Sequence, residues 1–157
     1  MNVQKVFQAI SLVFAAVSFV LLLLTQSVVG NFGDVFASGI EGIFGGNGYK
    51  PTWTAILAVA LLIFSMFSII CSLVLKAQSK RNWELSIFFT LVAAIALILC
   101  GFSVFFEPST FAGANDLIGD NYVLGVGWIL SIILSTAAGL ILLVSLFFTK
   151  QRIKTTF

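Results

Sequence analysis

The chain has 157 residues, of which 60% are hydrophobic and only 9% charged, whereas a soluble domain is roughly 45–50% apolar and about 25% charged. That balance excludes an ordinary water-soluble fold. The net charge of +2 leaves no basic face for nucleic acid, and the absence of histidine removes zinc, haem and nucleophile systems built on that residue, so no cofactor is expected.

The charged residues bound four uncharged runs, at 6–33, 51–75, 85–106 and 121–149, each longer than the about 20 apolar residues that cross a bilayer. They predict helices over about 6–26, 53–75, 84–106 and 123–148 in an all-α integral membrane protein. The fold expected is an antiparallel four-helix transmembrane bundle, a tetraspan, forming a single membrane domain over 1–157. The remaining residues make outer loops at 27–52 and 107–122 and an inner loop at 76–83. Lys5, Lys76, Lys80, Arg81, Lys150, Arg152 and Lys154 then share one side, and only Lys50 takes the other. By the positive-inside rule both termini are cytoplasmic. Tyr49, Trp53, Tyr122 and Trp128 fall near outer helix ends and Trp83 near an inner one, where amphipathic rings favour the interface.

The first helix has an apolar stretch, Val6 to Leu24, that is too long for the 7–15-residue core of a secretory signal, so it is expected to be retained. Its small face carries Ser11, Ala15, Ser18 and Thr25. In the first outer loop, Phe32, Val35, Phe36, Ile40, Ile43 and Phe44 recur at helical spacing while Asp34, Ser38 and Glu41 fall opposite. This pattern predicts a short amphipathic helix over 31–44 lying at the outer interface, as a lid on its own bundle or a face for a partner. Gly45-Gly46-Asn47-Gly48 then signals a turn. Neither outer loop holds a glycosylation sequon, which suits a bacterial cytoplasmic membrane.

Helix two places Thr54, Ala58, Ser65, Ser68 and Ser72 on one stripe, and the short basic loop 76–83 turns it into helix three, whose stripe is Ser86, Ala93, Ala96, Cys100 and Ser103. Cys71 and Cys100 sit at different depths and read as packing residues. Helix four carries Gly127, Ser131, Ser135 and Gly139, a strict small-xxx-small ladder. Such a ladder admits a neighbouring backbone closely, typically in a right-handed crossing, and could serve the bundle core or a contact between subunits.

Beyond Glu84 at the inner edge of helix three, no span contains an acidic or basic residue, the usual mark of a proton or ion pathway. The function expected is therefore non-catalytic: an accessory, assembly or interaction subunit of a larger membrane complex. Its partners would be the bilayer and other membrane subunits or further copies of itself. The competing class is a small oligomeric channel or solute facilitator lined by the Ser/Thr stripes.

Two fragments resemble the lipoprotein signal peptidases: Gly30-Asn31-Phe32-Gly33-Asp34 is similar to their Gly-Asn-x-x-Asp element, and Ala114-Asn115-Asp116-Leu117-Ile118 to their Ala-Asp-x-x-Ile element. The resemblance would imply an intramembrane aspartic peptidase using Asp34 and Asp116. The first fragment, however, follows helix one rather than helix three, and Asp116 shares its loop with Asp120, so both read as outer-loop acids. The arrangement of loops also resembles that of the claudin and MARVEL tetraspans, although 27–52 holds neither the tryptophan nor the paired cysteines of claudins. That likeness is one of topology and implies no function.

Overall fold

The structure, a computed structural model, describes residues 3–30, 36–75, 80–117 and 122–153, and for Phe36, Lys80, Arg81 and 149–153 the backbone alone. Four long helices dominate it: α1 (Val3–Leu24), α3 (Trp53–Val74), α4 (Lys80–Phe105) and α6 (Val126–Ile153). Each contains a stretch of 22 to 24 residues apolar enough to cross a membrane, about 33–36 Å of helix against a hydrocarbon core near 30 Å. Their bounds run three or four residues beyond expectation at the starts of α1 and α4, while α6 starts three residues later than expected.

The helices pack in a ring, α1 against α6, α6 against α4, α4 against α3, with a slighter α3–α1 contact closing it. Buried positions recur at alternating steps of three and four: Gln8, Ser11, Ala15, Ser18, Leu22 on α1; Ala58, Leu62, Ser65, Ile69, Ser72 on α3; Thr90, Ala93, Leu97, Cys100, Val104 on α4; Trp128, Ser131, Ser135, Ala138, Leu142, Ser145 on α6. This is the 3.5-residue seam of antiparallel and coiled-coil bundles. The outward faces carry Val13, Phe64, Phe67, Phe88, Phe102, Ile133 and Phe147, each at least half exposed. Lipid is the solvent that suits such a surface.

At one end the helices are joined by a small folded cap, built on a β-sheet that the sequence reading did not anticipate. Its centre is β1 (Gln26–Gly30), paired antiparallel with β2 (Phe36–Ser38) on one edge and β3 (Tyr122–Leu124) on the other. β-Branched and aromatic residues favour such pairing. An irregularity between Gln26 and Val28 leaves Ser27 out of register, and its buried hydroxyl donates to the Ala37 carbonyl at 3.2 Å. The predicted 31–44 helix is thereby corrected: 36–38 is strand, and helix α2 occupies only Gly39–Phe44, while 31–35 lies outside the described residues. A capping box starts α2 at Ser38, whose hydroxyl accepts from the Glu41 N–H at 3.2 Å while the Glu41 carboxylate accepts from the Ser38 N–H at 2.7 Å. Two bonds at Ser38 offset the helical start that the hydrophobic spacing alone placed seven residues earlier.

The turn signal appears as a two-residue hairpin, Asn47-Gly48, both at positive φ, closed by Gly46–Tyr49 bonds of 3.0 and 2.9 Å. The second outer segment forms another unanticipated helix, α5 (Glu107–Ala114), with Pro108 in its first turn. Phe111 of α5 is fully buried between Tyr49 and Tyr122, at ring distances of 5.2 and 6.3 Å. Tyr49 and Tyr122, two of the four rings expected at the interface, are thus partly buried in the cap against Phe111. Trp128 is a third correction: it is fully buried at the cap end of the bundle, its indole N–H donating to the Leu22 carbonyl at 3.1 Å. Trp53 alone among the four is largely exposed.

Candidate functional site

Each rung of the helix-four ladder is buried, but the four do not serve one neighbour. Gly127 lies against Thr25 so closely that an added methyl would overlap the threonine side chain. Ser131 meets Ser18 of α1 with hydroxyls 2.5 Å apart. Lower down, Ser135 and Gly139 turn to α4. The Cys100 thiol is within hydrogen-bonding reach of Ser135, and a Cβ at Gly139 would stand 2.9 Å from the Ala94 carbonyl oxygen and 2.8 Å from Ile98 Cγ1. The reason is rotational: four residues overshoot one 3.6-residue turn by about 40°, so three rungs carry the ladder about 120° around the helix. A groove expected to seat one helix therefore seats two. The sequence reading overlooked its counterpart, Gly101 of α4, whose Cβ would meet Thr136 Oγ1 at 2.6 Å.

The hydroxyls and amides of the spans are bonded mostly to one another or to carbonyls of neighbouring helices. Ser11 donates to the Ala138 carbonyl at 3.1 Å. At the end opposite the cap, the buried Gln8 amide donates to Ser72 at 2.8 Å and to Thr90 at 2.9 Å, and Ser72 meets Ser86 at 2.7 Å. These bonds tie α1, α3 and α4 where Lys5 Nζ also donates to the Leu73 carbonyl at 3.2 Å. Ser65 and Ser68 instead donate to carbonyls one turn back, which satisfies them within α3.

Of the interfacial set, Ile43 is buried, whereas Ile40 and Phe44, one turn apart, are 50% and 71% exposed. The opposite face of α2 is docked: Gly39 abuts the Leu22 carbonyl so tightly that a methyl there would overlap it, and Gly42 lies against Ser27. Phe32 and Val35 lie outside the described residues, and only the backbone of Phe36 is described, in β2.

A buried carboxyl stands where the sequence reading placed simply an outer-loop acid. Glu107 is fully buried. Its Oε1 accepts from Thr52 Oγ1 at 2.6 Å, its Oε2 accepts from Thr54 Oγ1, and Thr54 and Thr110 hydroxyls are 2.5 Å apart. The Ala55 N–H, in the first turn of α3, also donates to this carboxyl. Glu107 therefore caps α3 from another helix, in place of the N-cap residue Thr52, whose own side chain makes no cap bond. Burial pushes the Glu107 carboxyl above the usual carboxylate range, against the pull of the Thr52, Thr54 and Thr110 hydroxyls and the Ala55 N–H. Thr52 also bonds the Gly42 carbonyl through both its N–H, 2.9 Å, and its hydroxyl, 3.1 Å, so the site knits α2, α3 and α5 together. The available signals were Glu-Pro, which opens a helix, and Thr52-x-Thr54 before an apolar run without an acid in its first turn.

Asp116 stands apart from this site. It is exposed, at φ +56°, and pairs with the equally exposed Lys50 at 3.2 Å. Asp34 and Asp120 lie outside the described residues. Among the described residues no group of three or more Asp, Glu or Cys could hold a metal ion. An apolar groove of about 320 Å³ runs between α3 and α4 near Cys71, lined by Ile70, Val74, Leu75 and Phe89. No protein family model matches the chain, and no curated protein or solved structure matches it.

Proposed function

We propose that this chain is a non-catalytic multi-pass membrane protein acting as an accessory, assembly or interaction subunit of a larger membrane complex. The observation that carries the reading is how the spans use their polar groups. Ser11, Ser18, Ser131, Gln8, Ser72 and Thr90 bond to one another or to facing backbone, an arrangement suited to holding a bundle closed. A solute path through the chain would need such groups free to exchange their bonds with water or solute. The cap supports an interaction role, because α2 docks one face and keeps Ile40 and Phe44 uncovered on the other. In this reading the cap lies on the outer side of a cytoplasmic membrane and the cationic segments lie inside.

The test is purification from the native source in mild detergent, followed by sizing and native mass spectrometry. A stoichiometric, different membrane subunit is the expected result. A homo-oligomer with no second component would overturn the accessory role and favour the channel class.

A further inference from the structure

We propose that Glu107 is a proton-binding site: its carboxyl, buried without a charged partner among the described residues, binds a proton, exchanges it through Thr54 and Thr110, and on losing it loosens the seam joining α5 to α2 and α3. Two geometric facts carry this. The first is that, among the described residues, no charged side chain partners it, so the only positive field on it is that of the N-terminal ends of α3 and α5. Its bonded neighbours are Thr52, Thr54, Thr110 and the Ala55 N–H, all neutral. The charged groups on the elements packed around it are turned elsewhere. Glu41 of α2 bonds Ser38 and Asn47, Lys50 of the α2–α3 connection pairs with Asp116 beyond α5, and β1, β3 and the first turn of α3 carry none. A carboxylate this buried without a cation is disfavoured relative to its neutral form.

The second fact is the count of protons. With Glu107 protonated on Oε2, that proton is given to Thr54, Thr54 gives its own to Thr110 at 2.5 Å, and Thr110 donates to the Glu107 backbone carbonyl at 3.0 Å. Thr52 spends its single proton on Oε1 or on the Gly42 carbonyl, which its N–H already satisfies. In the ionised state Thr54 donates to Oε2 and Thr110 donates to Thr54 instead. Both states are thus hydrogen-bonded by the same heavy atoms: as the Glu107 proton passes to Thr54 and the Thr54 proton to Thr110, Thr110 turns from the Glu107 carbonyl and releases its own proton to water, and the reverse hops reload the carboxyl. Thr110 is only half-buried, so the relay reaches the surface of the cap.

The sign follows from burial, which raises the native carboxyl above its ordinary value. The stability it contributes is complete below the ordinary carboxylate range and is lost as pH rises through the native value. Acid therefore keeps the cap docked and alkali loosens it.

The experiment is isotope-edited infrared spectroscopy of the full chain in lipid nanodiscs, with ¹³C-carboxyl glutamate, titrated from acid to alkaline pH. The chain has three glutamates, Glu41, Glu84 and Glu107. One protonated carboxyl band that outlasts the other glutamate bands as pH rises is expected, absent from Glu107→Gln and vanishing further to the alkaline side. Hydrogen exchange of 37–52 and 107–117 should accelerate at least about tenfold over the same rise in wild type, referenced to Glu107→Gln, which should fold normally and show no such step. Glutamate bands that all ionise together would overturn the proposal, as would cap exchange that follows the variant's at every pH. Should the variant fail to assemble, the wild-type spectrum alone decides.

Discussion

Replacing Gly139 with leucine should separate α6 from α4, and the structure sets the scale of the effect. The first added carbon would already stand 2.9 Å from the Ala94 carbonyl oxygen and 2.8 Å from Ile98 Cγ1, with Leu97 Cβ at 3.4 Å. Ile98 can move, but the carbonyl belongs to the α4 backbone, so relief requires the two helices to part. Overpacking by a methylene or so costs about 1–3 kcal/mol, partly offset for alanine by the about 1 kcal/mol that it gains over glycine in a helix. Gly139→Ala should therefore lie between about 0 and 2 kcal/mol. Leucine drives three further carbons into the same contact and should cost at least about 3 kcal/mol, roughly a hundredfold in the folded fraction. Ala137→Leu is the internal control, since Ala137 lies on the side of Ile133 and Leu140, both more than half exposed, and its cost should stay below about 1 kcal/mol. Thermal aggregation of wild type and the three variants, measured side by side in one detergent, makes the comparison. Equal tolerance of Gly139→Leu and Ala137→Leu would refute the assignment of the α6 packing face.

Gly39→Ala should undock α2, because the added methyl overlaps the Leu22 carbonyl oxygen, whereas Gly113→Ala in α5 meets nothing within 4 Å and should be neutral or mildly stabilising; exchange of 37–44 reads the first, and melting in detergent the second. The Ser38 bonds hold the Glu41 carboxyl below its ordinary value, so α2 protection from this group should be complete above the ordinary carboxylate range and fall as pH drops through the lowered value. Glu41→Gln should flatten that acid limb of the exchange profile. Asp116→Asn removes an exposed ion pair and should change stability by less than about 1 kcal/mol, while leaving the phenotype rescued by the chain intact in a complementation assay. A reporter active only outside the cytoplasm should give signal when fused at Asn47 or Ala114 and none at Ser79 or after the last helix; signal at Ser79 would reverse the orientation inferred from the cations.

Sequence alone was enough to determine that four segments can span a membrane, and where each begins and ends to within about five residues. Lipid tests each segment by itself: a run of about 20 apolar residues satisfies its backbone internally, and its hydropathy depends on no other part of the chain. The small-residue stripes were legible for the same reason, since Ser11 and Ser18, or Ser65 and Ser72, share a face by helix periodicity alone. Local chemistry also carries signals, Ser38-x-x-Glu41 for the start of α2, which a longer hydrophobic period over 31–44 masks, and Glu107-Pro108 for α5, which no hydrophobic period accompanies. What only the tertiary structure decided were the relations between segments far apart in the chain. Val28 pairs with Leu124, the ladder divides between α1 and α4, and Glu107 reaches Thr52 and Thr54. Each depends on how rigid helices rotate and meet when they pack, and a segment's own composition carries no record of the angle at which its neighbour arrives.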